Sequence, residues 1–187
     1  TVMTINTSGN VGIGTNSPTS YYSGANNLVI KQDSGEGGMS IVTANDTSGA
    51  LYFADGTSGN EQYRGGIGYT HSTDKLFLVS GGQTRVWMND SGNVGIGTDS
   101  PDAKLVVRTS TDHNFEVEET GGELRLSALN NARSANIGLQ FAASEFNFIT
   151  GNVGIGTDSP NFDLTLNSAT GAQLQWQYNS ASHLRIE

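Results

Sequence analysis

The chain has 187 residues, and its nine Lys and Arg against eighteen Asp and Glu give a formal net charge of −9. This balance argues against nucleic acid or an anionic membrane surface as a partner, and no apolar run approaches the roughly 18 residues that cross a bilayer. The absence of cysteine excludes disulfides and thiolate metal sites, while 25 glycines and only 14 % charged residues indicate an ordered chain with small polar surfaces.

The first feature along the chain is an alternating run, "VMTIN", followed by the motif "SGNVGIGTNSP" at 8–18. The motif returns as "SGNVGIGTDSP" at 91–101 and as "TGNVGIGTDSP" at 150–160. Pro18, Pro101 and Pro160 are the only prolines of the chain. Because proline cannot donate to a central ladder and Ser-Pro cannot continue a helix, each copy predicts a Gly-Asn turn, a short "VGIGT" strand and a corner.

The segments around the copies predict further strands. Alternating runs precede the copies as "VMTIN", "TRVWMN" and "EFNFIT", and follow them as "NLVIKQ", "KLVVRT" and "DLTLNS". Turn signals separate about eighteen strand candidates at about ten-residue spacing, which predicts an all-β fold. The other candidates are "GMSIVTAN", "GALYFAD", "RGGIGYTH", "KLFLVSG", "NFEVEET", "ELRLSAL", "NIGLQFAA", "QLQWQYN" and "HLRIE".

The repeats predict the domain organisation. Residues 1–18 form the end of a preceding module, and 19–101 form a long β module that ends in the second motif copy. Residues 102–160 form a shorter module, and 161–187 begin a further one. The chain starts and stops within this pattern, so we expect it to be a segment of something longer.

A glycine-rich motif raises the possibility of a phosphate-binding loop, which the residue order disfavours. A dinucleotide fingerprint needs G-x-G-x-x-G between a strand and a helix, whereas the order here is G-x-x-G-x-G with Ser-Pro where the helix would begin. A Walker loop needs a lysine, and no copy has one. We therefore expect no nucleotide cofactor.

Other catalytic or metal-binding patterns are weak. Turns such as "ADGTSGN" offer oxygen ligands that leave a calcium site open, although no EF-hand pattern is present. We expect no catalytic, cofactor-binding or metal-binding residue, and no enzyme. The three histidines, His71, His113 and His183, do not have the spacing of metal ligands. We interpret the paired acids as solvated strand edges; they are Asp33 with Glu36, and Glu116 with Glu118 and Glu119.

Side chains alternate within the motif strand. Val11 and Ile13 point to one face, and Gly12 and Gly14 leave the other face without side chains. Glycine weakens a strand by itself, so its repeated use predicts close approach of another backbone, while Val and Ile would meet the same residues of sister chains in an elongated trimer. The predicted assembly residues are Val11, Gly12, Ile13, Gly14 and Pro18, then Val94, Gly95, Ile96, Gly97 and Pro101, and then Val153, Gly154, Ile155, Gly156 and Pro160.

Aromatic side chains supply the remaining binding chemistry. Tyr21 and Tyr22 lie in an insertion peculiar to the first module, so we expect them on an exposed loop that could contact a sugar or a protein partner. Packing on a neighbouring chain is the alternative that we favour. Trp87 and Trp176 lie within alternating runs and are expected in a core or an interface.

The motif "SGNVGIGTxSP" followed by a "KLxV" strand resembles the repeat of bacteriophage tail-fibre and related virion fibre proteins, as does the block "GALYFADGTSGNEQYRGGIGYTHSTDKLFLVSGGQTRVWMNDSGNVGIGTDSP" at 49–101. The resemblance implies a homotrimeric, β-rich extracellular fibre that carries host-recognition regions. Its implied partners are sister chains, neighbouring fibre or virion proteins, and a host-surface glycan or receptor. It supplies no catalytic residues.

These observations predict a mechanical shaft segment of a trimeric fibre without a cofactor. A β-prism, a triple β-helix and linked small β-modules all fit the strand pattern. The alternatives are a receptor-binding or glycan-binding module, a subunit of a cellular extracellular filament or adhesin, and a glycan hydrolase, for which Glu116 and Glu118 are the only candidates.

Overall fold

The computed structural model describes residues 3–167 and is built of β-strands, which confirms the predicted all-β class. Short 3-10 turns are its helical elements within these residues. The candidates "QLQWQYN" and "HLRIE", with Trp176 and His183, lie outside the described residues. The strands are β1 (Met3–Ile5), β2 (Val11–Ile13), β3 (Leu28–Ile30), β4 (Ser48–Phe53), β5 (Gly65–Thr70), β6 (Lys75–Ser80), β7 (Gln83–Met88), β8 (Val94–Ile96), β9 (Leu105–Ser110), β10 (His113–Thr120), β11 (Glu123–Leu129), β12 (Val153–Ile155) and β13 (Leu164–Leu166).

The strands form three sheets in which chain neighbours are also sheet neighbours. The sheets contain β1 to β3, β4 to β11, and β12 with β13. Most pairs are antiparallel, and the parallel pairs are β2–β3, β8–β9 and β12–β13. Each parallel pair joins a motif strand to the strand after its Ser-Pro corner. The corner therefore returns the chain to the same strand direction in all three copies.

The chain divides into two compact units between Leu139 and Gln140. The predicted module boundaries at residues 18, 101 and 160 fall inside the corners, and the sheets are continuous across them. For example, β8 lies before the boundary at 101 and pairs with β9 directly after it. Each motif copy thus links two predicted modules by backbone hydrogen bonds.

An asparagine closes the hairpin before the first two copies. The Oδ1 atom of Asn89 accepts hydrogen bonds from the backbone N–H groups of Ser91 and Asn93, at 3.1 and 2.9 Å, and Asn6 does the same in the first copy. Phe148 stands at the equivalent position of the third copy. The run "EFNFIT" forms no strand, so this strand prediction is wrong. The physical reason is that phenylalanine offers no side-chain acceptor to close the turn.

Two other strand predictions are also wrong. The runs "GMSIVTAN" at 38–45 and "NIGLQFAA" at 136–143 have no ladder, apart from one bridge between Leu129 and Asn136. Alternation of apolar residues shows which side chains share a face, but a strand also needs a partner for its backbone groups. The run at 136–143 bonds to β11 only at its start, where the N–H of Ile137 donates to the carbonyl oxygen of Ala128, and within the described residues neither run continues into a ladder.

The buried core is small, and most of it lies on one face of the large sheet. Register places Phe77, Trp87, Gly95, Val106 and Glu116 on one rung of this face, which we call the polar face. Phe77 and Val106 are buried, and so is Glu116. Few apolar side chains in the described part of the chain are as well covered; those counted as buried are Val29, Phe77, Ala103, Val106 and Leu129.

Candidate functional site

The face opposite the polar face is apolar across all eight strands, and we call it the apolar face. Two rungs define it, and none of their residues carries a charge. Eight strands at about 4.8 Å spacing make it roughly 34 Å wide. One rung is Leu51, Ile67, Leu78, Val86, Ile96, Val107, Phe115 and Ala128, and the other is Gly49, Tyr69, Leu76, Met88, Val94, Leu105, Val117 and Leu126.

Among residues 3–167 the apolar face is left largely open, although Ile41 and Thr43 lie against Gly49 at its β4 edge. Ile96, in the middle of the sheet, keeps 41 % of its surface exposed, and Leu51 and Leu126 at the two edges keep 44 % and 52 %. Soluble proteins rarely leave a contiguous apolar patch of this extent open, and such patches mark interaction sites. The apolar face is therefore the candidate functional site.

The same arrangement occurs at the other two motif copies. In the first sheet, Ile5 pairs with Val11 and is 64 % exposed. In the third sheet, Ile155 pairs with Leu166 and is 57 % exposed. Each motif copy therefore places its Val and Ile on an open apolar face beside apolar residues of the flanking strands.

The first glycine of each "VGIG" lies against the corner of its own copy. A Cβ atom added at Gly95 would collide with the carbonyl oxygen of Thr98, three residues later. The equivalent pairs are Gly12 with Thr15 and Gly154 with Thr157. This glycine thus lets the chain fold back over the polar face of its own strand.

The second glycine of each "VGIG" lies against the strand that follows the corner. A Cβ atom added at Gly97 would lie 2.6 Å from the carbonyl oxygen of Arg108, and Gly97 has a φ of 75°, in the left-handed region. The equivalent pairs are Gly14 with Lys31 and Gly156 with Asn167. The close approach at these glycines is thus within one chain, whereas the Val and Ile side chains point to the open face.

Other recurring residues of the motif fix the corner, and the sequence pattern did not predict their role. The Nδ2 group of Asn93 donates to the carbonyl oxygen of Pro101 at 3.3 Å, and Asn152 does the same to Pro160 at 3.1 Å. The Oγ1 atom of Thr98 accepts from the backbone N–H of Ser100. Their presence in every copy was the signal that could have identified them.

Tyr21 and Tyr22 lie between two 3-10 turns, Pro18–Ser20 and Ser23–Ala25. Tyr22 is 80 % exposed, and Tyr21 is also exposed. They lie outside the sheets, in the loop that connects β2 to β3. The structure does not bring them together with the apolar face of the large sheet.

Glu116 and Glu118 are not solvated, which corrects the interpretation of this acid pair. Both lie on the polar face in β10, a strand held between β9 and β11, and Glu116 is almost completely buried. Arg133 reaches back from the turn after β11 to bind both carboxylates. Glu118 also accepts from Ser127 at 2.7 Å and from Arg125 at 2.9 Å. The acids are therefore part of a buried ion-pair cluster.

This cluster predicts acid-dependent stability. The hydrogen bond from Ser127 lowers the pKa of Glu118 most, burial opposes it, and the bonds from Arg125 and Arg133 bring it to about 2, from 4.5. Because the folded pKa is depressed, this stabilisation is present above pH 4.5 and is lost as the pH falls through about 2.

We expect Ser127→Ala to raise the pKa of Glu118, measured by carboxyl NMR titration. Ser110→Ala, at the exposed end of β9, is the control, and equal titration of both variants would contradict this assignment.

No group of three His, Asp or Glu within residues 3–167 is arranged to hold a metal ion. The helical turns in the same range are too short to traverse a bilayer. No family model and no curated protein matches this chain. The candidate function is therefore inferred from the faces of the sheets and from the motif.

Proposed function

We propose that this chain is a shaft segment of a homotrimeric extracellular fibre, of the kind found in phage tail fibres, and that it supports attachment to a host cell. The open apolar face that recurs at every motif copy carries the proposal. Sister chains that present this face to a common axis would bury it on all sides. The shaft would act mechanically, by spacing a recognition region from its anchor.

The stoichiometry of three comes from the resemblance to tail fibres. Exposed apolar area by itself requires only that another surface cover the face, and hydrophobic burial stabilises any such contact by about 25 cal/mol per Å². A ring of three identical chains closes on itself, so it leaves no further apolar face open to continued growth. The motif contributes by fixing the strand that carries Val and Ile within each layer.

Electron microscopy of the purified chain tests the shaft. Negatively stained particles are expected to be elongated and to average with three-fold symmetry along the long axis. Compact particles without symmetry at the same concentration would contradict the proposal. Micrographs of the full-length protein, recorded in the same way, would show whether the segment lies within a longer fibre and whether that fibre belongs to a virion or to a cell. The sequence leaves both sources open.

The exposure of Tyr22 favours a second candidate, a receptor-binding or glycan-binding module. The double change Tyr21→Ala and Tyr22→Ala is expected to leave assembly intact, because neither ring lies on the apolar face. If it also abolishes binding of the fragment to host cells, the binding module is the better assignment. Unchanged cell binding would remove this candidate. Tyr52→Ala, an exposed tyrosine of β4, is the matched control.

The glycan-hydrolase alternative is not favoured. Its candidate acids, Glu116 and Glu118, are both engaged by Arg133 within the buried cluster. A general acid needs access to the glycosidic oxygen and a raised pKa, whereas the pKa of Glu118 is lowered. We propose no enzymatic function.

A further inference from the structure

A cleft at the second motif copy is lined in part by side chains that are not part of the repeated motif. It has a volume of about 480 Å³ and lies where β7, β8 and β9 meet the corner. Arg85, Trp87, Thr98, Asp99 and Arg108 line it, and Ile96 forms part of its edge. This volume is within the range of roughly 300–1,000 Å³ that clefts for small ligands occupy.

Its two arginines differ from the others in the described part of the chain. Arg64, Arg125 and Arg133 each bind a carboxylate. Arg85 and Arg108 form no such ion pair within residues 3–167, although the chain carries a net charge of −9. Two cations that form no ion pair among the described residues therefore share one cleft with a single acidic residue, Asp99.

Both guanidinium groups are held through Nε. The Nε of Arg108 donates to Oδ1 of Asn114 at 3.0 Å, and Asn114 is itself buried and bonded to Asn131. The Nε of Arg85 donates to the carbonyl oxygen of Ser80 at 3.3 Å. Their terminal nitrogens have no acceptor among the described residues, so two positioned donor pairs remain for a ligand.

The other motif copies serve as an internal comparison. The position of Trp87, opposite the first motif glycine, is occupied by Thr4 in the first copy. The position of Arg108, beside the second motif glycine, is occupied by Lys31 in the first copy and by Asn167 in the third. The corner folds in all three copies, so Trp87 and Arg108 are not needed for its geometry.

We propose that this cleft binds a carboxylate-bearing saccharide, a hexuronate unit of an acidic glycan. The guanidinium groups of Arg85 and Arg108 offer forked donors that match a carboxylate. The indole of Trp87, which also packs against Phe77 and lies 6.0 Å from Nζ of Lys75, offers the rest of its apolar surface to a sugar ring. Asp99 repels a bare anion but accepts hydrogen bonds from hydroxyl groups, which a sugar supplies. Trp87 and Arg108 lie on the polar face, opposite the face through which the chains are proposed to assemble.

Titration of the full chain with trigalacturonate tests the proposal, with Trp176→Phe as the background so that indole fluorescence reports Trp87. We expect binding that changes this fluorescence and is not reproduced by maltotriose, a neutral trisaccharide. Arg85→Gln and Arg108→Gln should each weaken binding by about tenfold or more, the cost of losing a charge-assisted hydrogen bond. Arg64→Gln, which removes an arginine that pairs with Asp55, should leave the affinity unchanged.

Several results would overturn the proposal: no binding of trigalacturonate, equal binding of maltotriose, displacement by sulfate at the same concentration, or unchanged affinity in both cleft variants. Arg108 is tethered to buried Asn114, so Arg85→Gln is the variant that keeps the test valid if Arg108→Gln does not fold. Light scattering on each variant separates loss of binding from loss of assembly. Trigalacturonate that bound only by bridging chains would raise the scattering mass and would also contradict a cleft within one chain.

Discussion

Replacing Ile96 by aspartate is expected to convert the assembled protein into single chains. Ile96 lies between Val86 and Val107 at the middle of the apolar face. In the proposed trimer the change would place one carboxylate from each chain in an apolar interface, at a cost of roughly 3 kcal/mol or more per chain. In the single chain the same side chain is partly exposed, so the sheet itself should keep its fold.

Size-exclusion chromatography with light scattering measures the effect, and circular dichroism checks the fold. Tyr52→Asp is the matched control, because Tyr52 is 47 % exposed on the polar face of the same sheet. Ile13→Asp and Ile155→Asp place the same charge on the apolar faces of the other two sheets and should also impair assembly. Retention of the assembled mass by all three isoleucine variants would show that these faces do not form the interface.

The glycines of the second motif copy are expected to differ in what an added methyl group costs. Gly92 has a φ of 71° and nothing within 4 Å of an added Cβ, so Gly92→Ala should cost about 1 kcal/mol for backbone strain alone. Gly95 lacks a positive φ but faces the carbonyl of Thr98, so Gly95→Ala should cost about 1–3 kcal/mol for steric overlap. Gly97 combines both features, and Gly97→Ala should cost the most, about 2–5 kcal/mol.

Urea unfolding at one fixed protein concentration measures this series, since the stability of an assembly depends on concentration. Gly97→Ala should also disturb the β8–β9 pairing, because the added methyl group forces Arg108 away from Gly97. Amide hydrogen exchange in β9 should then rise relative to β6. Equal destabilisation by Gly92→Ala and Gly97→Ala would mean that close approach across the corner contributes nothing.

The strand positions could be predicted from the sequence because the alternation of apolar residues with period two survives in nearly every strand. It placed Val94 and Ile96 on one face and the glycines on the other. Alternation cannot tell whether a neighbouring strand is available, and this is why the runs at 38–45 and 136–143 were predicted as strands. At the third copy the difference between Phe148 and Asn89 was visible in the sequence, but the role of the asparagine side chain in the turn was not.

The burial of the acid pair could not be predicted from local pattern. The alternation of Glu116 and Glu118 predicted a charged, solvated strand edge. In the structure Arg133 binds both carboxylates from a turn that follows the next strand. The partner depends on closure of β10 and β11 and on the left-handed backbone of Arg133, with a φ of 53°. The two faces of the sheet therefore depart from the usual arrangement, since one face buries acidic side chains beside Phe77 and Val106 while the other leaves apolar residues open.

The mass of the protein in solution tests assembly through the apolar face most directly. Light scattering coupled to size-exclusion chromatography, at micromolar concentration and neutral pH, should give the mass of three chains of 19.7 kDa, about 59 kDa. The Ile96→Asp variant should elute at the mass of one chain under the same conditions. A wild-type mass of 19.7 kDa that does not change with concentration would contradict the account.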